Sequence, residues 1–144
     1  PGQVEPAIDT QTLASNIDLA PTVLEGCGLE PAPEMHGLNL TDRAAMKDRK
    51  TIFLENYPHD IVDVDDPAAS LRARSCIHRF WKLILWEEDP PDVRRTGPAK
   101  PDADAELYNL AEDPLEEKNL ASEQPERVKQ LTELINDWWN PHAD

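Results

Sequence analysis

Glu106-Leu107-Tyr108-Asn109-Leu110-Ala111-Glu112-Asp113-Pro114-Leu115-Glu116-Glu117-Lys118-Asn119-Leu120 joins a strand, a turn and the approach to a helix, and the rest of the chain can be placed around it. Leu107 and Asn109 point to one side of an extended segment and Tyr108 and Leu110 to the other. Asp113-Pro114 then stops the strand. Leu115 and Leu120 are the apolar residues available to anchor the acidic loop that follows. By itself the stretch carries no chemistry.

Upstream of it, two segments read as a strand pair. Leu71, Ala73, Ser75 and Ile77 alternate with Arg72, Arg74 and Cys76, and His78-Arg79 supplies the turn. Phe80 to Trp86 resumes the strand and is apolar enough to be covered on both faces, which predicts a central position. Thr51 to Tyr57, halted by Pro58, predicts a further strand. With 106–110 returning beside the pair, the result is a small antiparallel sheet of about four strands.

The helices follow from caps and periods. Asp18 reads as the N-cap of a short helix with Pro21 in its first turn, Val23, Leu24 and Cys27 on its apolar face, and Gly26 and Gly28 at its end. About nine residues are too few for a helix stable alone in water, so it must lean on a tertiary surface. Thr41 or Asp42 can cap a helical turn through Met46. The last helix begins near Pro125 and presents Val128, Leu131, Leu134, Ile135, Trp138 and Trp139 at helical spacing before Asn140-Pro141 ends it. A helix over one face of an antiparallel sheet is an α+β layer. Residues 29–40, 59–69 and 87–105 read as loops.

Composition excludes several functions. The chain has 144 residues and carries 29 acidic against 14 basic side chains, a net charge of -15. That argues against nucleic acid and anionic membrane as partners unless a local basic patch exists. Arg72 with Arg74 and Arg94 with Arg95 are the candidates, each read as a solvated strand face or loop. No apolar run approaches the ~20 residues of a membrane span. Cys27 and Cys76 make neither a disulfide framework nor a zinc site. Fourteen prolines against five glycines point to rigid loops. The start at Pro1, without an initiator Met, reads as a processed or truncated piece.

Catalytic machinery is not evident. Nucleophilic catalysis needs a base and an orienting group, and none of the four histidines sits in a recognised motif. His36, in a proline-rich loop, and His59, at the head of the acidic loop, are better placed to line a cleft than His78 or His142. Arg79 joins them as a candidate cleft residue. Asp60, Asp63, Asp65 and Asp66 could attract a hard cation, but Pro67 and the lack of a glycine or closing glutamate break the calcium-loop spacing.

Three stretches, in order, resemble the C-terminal part of sulfatases of the alkaline-phosphatase superfamily. Asn16-Ile17-Asp18-Leu19-Ala20-Pro21-Thr22-Val23-Leu24 resembles the family's Ile-Asp-Leu-x-Pro-Thr helix. Leu71-Arg72-Ala73-Arg74 running into Trp81-Lys82-Leu83-Ile84 is similar to its Val-Arg and Lys-Tyr-Ile hairpin, with Leu83 in place of the aromatic. Glu106 to Ala121 is similar to its Glu-Leu-Tyr-Asp-Leu, Asp-Pro-x-Glu and Asn-Leu-Ala series, with Asn109 replacing Asp. The resemblance implies that residues 1–45 finish a large α/β domain and 46–144 form a C-terminal antiparallel-sheet-plus-helix subdomain that supports it. It implies a parent enzyme hydrolysing sulfate esters of small molecules or glycans with a formylglycine and calcium, and its catalytic domain as this segment's partner. A periplasmic or secreted parent fits the resemblance; the residues fix no compartment.

The family's Cys/Ser-x-Pro-Ser-Arg and Asp-Asn-Gly motifs do not occur here, so catalytic residues, metal ligands and cofactors are expected upstream of Pro1 and none in this segment. Two other readings compete. One is the tail of a phosphonate or phosphate ester hydrolase of the same superfamily; the other is a non-catalytic α+β interaction module. If a large domain is missing, the helix 18–27 should expose apolar area.

Overall fold

The computed structural model describes residues 6, 8–57, 61–87 and 103–141. Strands β1 (Thr51–Asn56), β2 (Ala73–His78), β3 (Trp81–Trp86) and β4 (Ala105–Asn109) form one four-stranded antiparallel sheet in the order β1-β2-β3-β4. The meander expected from the hydrophobic pattern is present, with β3 internal. Helices α1 (Leu19–Gly26) and α2 (Arg43–Asp48) precede the sheet, and α3 (Pro125–Trp138) follows it. The chain divides into two compact units, Pro1–Ile52 and Phe53–Asp144.

The second unit has a layered apolar core. Cys76 lies opposite Leu83, and Leu83 opposite Leu107, so one row crosses three strands on a single face. All three are fully buried, and Leu131 and Ile135, four residues apart on α3, complete the cluster. Each buried side chain contributes on the order of 1.5–3 kcal/mol. Farther along α3, Trp138 stacks on Phe53 with ring centroids 4.8 Å apart.

The structure corrects the reading of residues 71–79. The face carrying Arg74 and Cys76, expected to be the polar one, lies under α3, and Leu71 and Ala73 on the opposite face are buried as well. Arg74 is only 6% exposed. Its Nε donates to Glu87 Oε1 at 3.0 Å, and its Nη1 donates to Asn136 Oδ1 and to the Trp139 carbonyl. The guanidinium therefore sits where the end of α3 leaves carbonyls without helical donors, so its burial is compensated. Arg74 is not part of a solvated basic patch. The hairpin turn is Arg79-Phe80, one residue later than expected, because His78 still pairs with Trp81.

The first unit is organised differently. α1 ends as the glycines require: Gly28 is left-handed (φ 78°), its N–H donates to the Glu25 carbonyl, and the Leu29 N–H donates to the Leu24 carbonyl. Asp42 caps α2 by accepting from the Ala44 and Ala45 N–H groups. Within the acidic loop, Asp66 accepts from the Ala68 N–H at the start of a short 3-10 turn, Pro67–Ser70.

Candidate functional site

Asp18 is the polar centre of the first unit and does not act as the simple helix cap its position suggests. The side chain is fully buried. Arg49 donates to both carboxylate oxygens, at 2.6 and 2.7 Å, and the Ser15 and Leu38 N–H groups donate at 2.7 and 2.8 Å. The Arg49 hydrogen bonds, helped by those from Leu38 and Ser15, outweigh burial and hold the carboxyl down to a pKa of about 2. Next to it the Leu40 N–H donates to Thr22 Oγ1, and that hydroxyl donates to the Asp18 carbonyl. Gly37 lies so close to the backbone of Ile17 that a Cβ would sit 2.1 Å from its carbonyl oxygen. Loop and helix are therefore locked by polar contacts and one close backbone approach. This is a structural tie.

The stretch from Glu106 to Leu120 finishes the sheet. The Leu107 N–H donates to Asn119 Oδ1 at 3.0 Å, Asn119 Nδ2 donates to the Ala105 carbonyl, and the Leu120 N–H donates to the Leu107 carbonyl. One amide side chain and one backbone group thus satisfy the outer edge of β4, which would otherwise be open. Asp113 shapes the turn by accepting from the Glu117 and Lys118 N–H groups, which hold its carboxyl below the usual range. Glu116 takes a left-handed backbone (φ 59°) and meets Lys82 Nζ through both carboxylate oxygens, at 2.8 and 2.6 Å. Tyr108 lies opposite Lys82; burial, then Glu106, Glu116 and Asp113, push its hydroxyl up to about 12. A phenol so disposed stays protonated and is not an acid-base group at neutral pH.

The third cluster lies at the β2–β3 turn. His78 and Trp81 face each other on the side of the sheet covered by α3, and the Arg127 guanidinium stands 4.1 Å from the centroid of the Trp81 ring. Arg79 follows at the exposed turn with φ 57°. Burial, then Arg79 and Arg127, lower the His78 pKa.

Of the expected cleft residues, His36 is exposed in the loop between α1 and α2, Arg79 is exposed at the β2–β3 turn, and His59 lies outside the described residues. In an antiparallel meander successive connections leave from alternate ends. The chain leaving β1 after Asn56 and the Arg79 turn are thus separated by the length of a six-residue strand, roughly 20 Å. Among the described residues no group of three or more His, Cys, Asp or Glu could hold a metal ion. Cys76 is buried, which pushes its thiol up to about 11, and Cys27 is exposed at the end of α1. Neither is a poised nucleophile precursor in the sequence context a formylglycine needs. No described helix is long and apolar enough to cross a membrane.

Sequence reasoning missed Arg49 and Arg127. Each is a lone arginine whose partner, Asp18 or Trp81, is more than 30 residues away, and neither has a local spacing signal.

A sequence model of the family described as "N-sulphoglucosamine sulphohydrolase, C-terminal" matches residues 1–139. The chain belongs to this sulphohydrolase C-terminal family. No curated protein matches it in sequence. Among solved structures, it is similar to one from Bacteroides thetaiotaomicron described with the metabolism of multiple glycosaminoglycans. That match has 26% identity and a TM-score of 0.62, and covers 91% of this chain and 27% of the other. A second, at 20% identity and TM-score 0.56, was solved with its substrate D-glucosamine-2-N,6-O-disulfate and covers 90% of this chain and 25% of the other. It supports the fold alone. The chain spans about a quarter of the length of the solved structures it matches. The family's markers acquire physical meaning here: the Asp of the Ile-Asp-Leu helix is the buried tie, and the Asn-Leu pair closes the sheet edge.

Proposed function

We propose that the segment is the C-terminal part of a sulfatase whose whole chain hydrolyses sulfate esters of a saccharide, with sulfated glucosamine as the substrate class. The family match over residues 1–139 carries this reading. The exposure of α1 supports it: Leu19 is 57% and Val23 63% exposed on a helix too short to stand alone. That face suits burial against the remainder of a large α/β domain, of which residues 1–45 are the end. Residues 46–144 then form the supporting subdomain.

The described residues do not fit a calcium site or a formylglycine precursor. Calcium and formylglycine belong, in this proposal, to the catalytic domain, and no chemical step is assigned to this segment. His36, His59 and Arg79 are proposed to border the substrate at most. The reading is tested with the full-length gene product and a sulfated glucosamine. Release of sulfate by the full-length protein but not by residues 1–144 is expected. Turnover by residues 1–144 alone, or hydrolysis of phosphate but not sulfate esters by the full-length protein, would overturn it.

A further inference from the structure

We infer that the β2–β3 turn carries a secondary anion subsite, built from Arg79 and Arg127 beside Trp81, that binds a sulfate or carboxylate of a sulfated glycan outside the reacting residue. The inference rests on the saccharide reading above and adds a place and a partner to it.

A chain of charge -15 repels a polyanion unless positive groups are gathered locally. The described arginines differ in what they can offer. Arg49 is committed to Asp18 and Arg74 to Glu87 and α3. Among the described residues, the Arg127 side chain makes a neutral hydrogen bond, from Nε to Gln124 Oε1 at 3.1 Å, and a face contact with Trp81, so its charge is oriented and no ion pair among them neutralises it. Arg79 is exposed one residue beyond His78, which sits opposite Trp81, so backbone register brings the second guanidinium to the same end of the hairpin. The turn is held in place, with the Leu110 N–H donating to the Phe80 carbonyl at 2.8 Å. Glu123, four residues before Arg127 on the approach to α3, pairs with Lys118 at 2.9 Å. Glu126 precedes Arg127 by one residue, about 100° round the helix. A planar guanidinium over an indole, with a second arginine exposed at the same end of the hairpin, suits sulfate or carboxylate oxygens on a sugar scaffold.

The decisive variant is Arg79→Gly. Glycine adopts φ 57° without penalty, so the substitution removes the charge while easing the backbone. Full-length protein is titrated at low salt with a sulfated glucosamine-containing tetrasaccharide and with its desulfated counterpart, in wild type, Arg79→Gly and Arg127→Gln. The proposal expects binding of the sulfated form only, affinity about tenfold weaker in each variant, an unaltered or higher Tm for Arg79→Gly, and a smaller salt dependence. Equal tetrasaccharide binding by wild type and Arg79→Gly, or equal binding of the desulfated form, would overturn it. Binding is read without turnover, so a protein that binds as described but releases no sulfate would fail the sulfatase reading and leave this subsite standing.

Discussion

The two units hold themselves together by opposite means. The second buries an apolar row, Cys76, Leu83 and Leu107, beneath Leu131 and Ile135 of α3, and its buried charge, Arg74, is tied into the helix end. The first centres on a buried ion pair, Asp18 with Arg49, while Ile17, Leu19, Val23 and Leu29 stay exposed. Hydrophobic burial is the dominant stabilising term in folding, so a unit held mainly by hydrogen bonds, with little full apolar burial beyond Pro21 and Met46, is open to completion by a further apolar surface. A unit with its own apolar layer is not.

The comparison breaks most readily at Asp18. Asp18→Ala leaves Arg49 and two backbone N–H groups buried without their acceptor and should cost about 3–5 kcal/mol, confined to residues 1–52. Chemical denaturation followed residue by residue by NMR separates the units; equal loss in the β2–β3 amides would break the distinction. Leu83→Ala should cost about 2–5 kcal/mol in the second unit and leave the Asp18 tie intact.

Acid offers a reversible form of the first test. The Asp18 pKa lies near 2 when folded against 3.8 when free, so its contribution is fully present above pH 3.8 and lost as pH falls through about 2. The loss amounts to about 2 kcal/mol. It should appear in the first unit and be absent from Asp18→Asn.

Smaller effects probe the sheet edge. Asn119→Ala orphans the Leu107 N–H and should cost about 1–3 kcal/mol, with faster hydrogen exchange at Leu107 and Leu120. Glu116→Gly trades the half-exposed Lys82 pair for relief of a left-handed backbone, two effects of up to ~1 kcal/mol each and opposite sign. Net stability should therefore move by less than about 1 kcal/mol, and a larger loss would give that pair a role the geometry does not.

The sheet, its meander order and the covering helix were legible because alternation in 71–86 and the 3-4-7 spacing in 128–139 are local signals. The side of the sheet that α3 covers was not. Arg74 looks solvent-seeking in sequence, and only the carbonyls at the end of α3 and Glu87 make its burial tolerable. Asp18 was likewise legible as a cap and illegible as a tie, since Arg49 and Leu38 reach it from 31 and 20 residues away. Of the candidate site residues, Arg79 was legible as a turn residue, but its company was not, because Arg127 arrives on a helix 48 residues later.

The central claim is that α1 is completed by the rest of a larger protein while the sheet completes itself. Hydrogen exchange of residues 1–144, compared with the same residues in the full-length protein, tests it directly. The account predicts that amides of α1 exchange at least tenfold more slowly in the full-length protein, with β2 and β3 unchanged. Equal protection of α1 in both would contradict it.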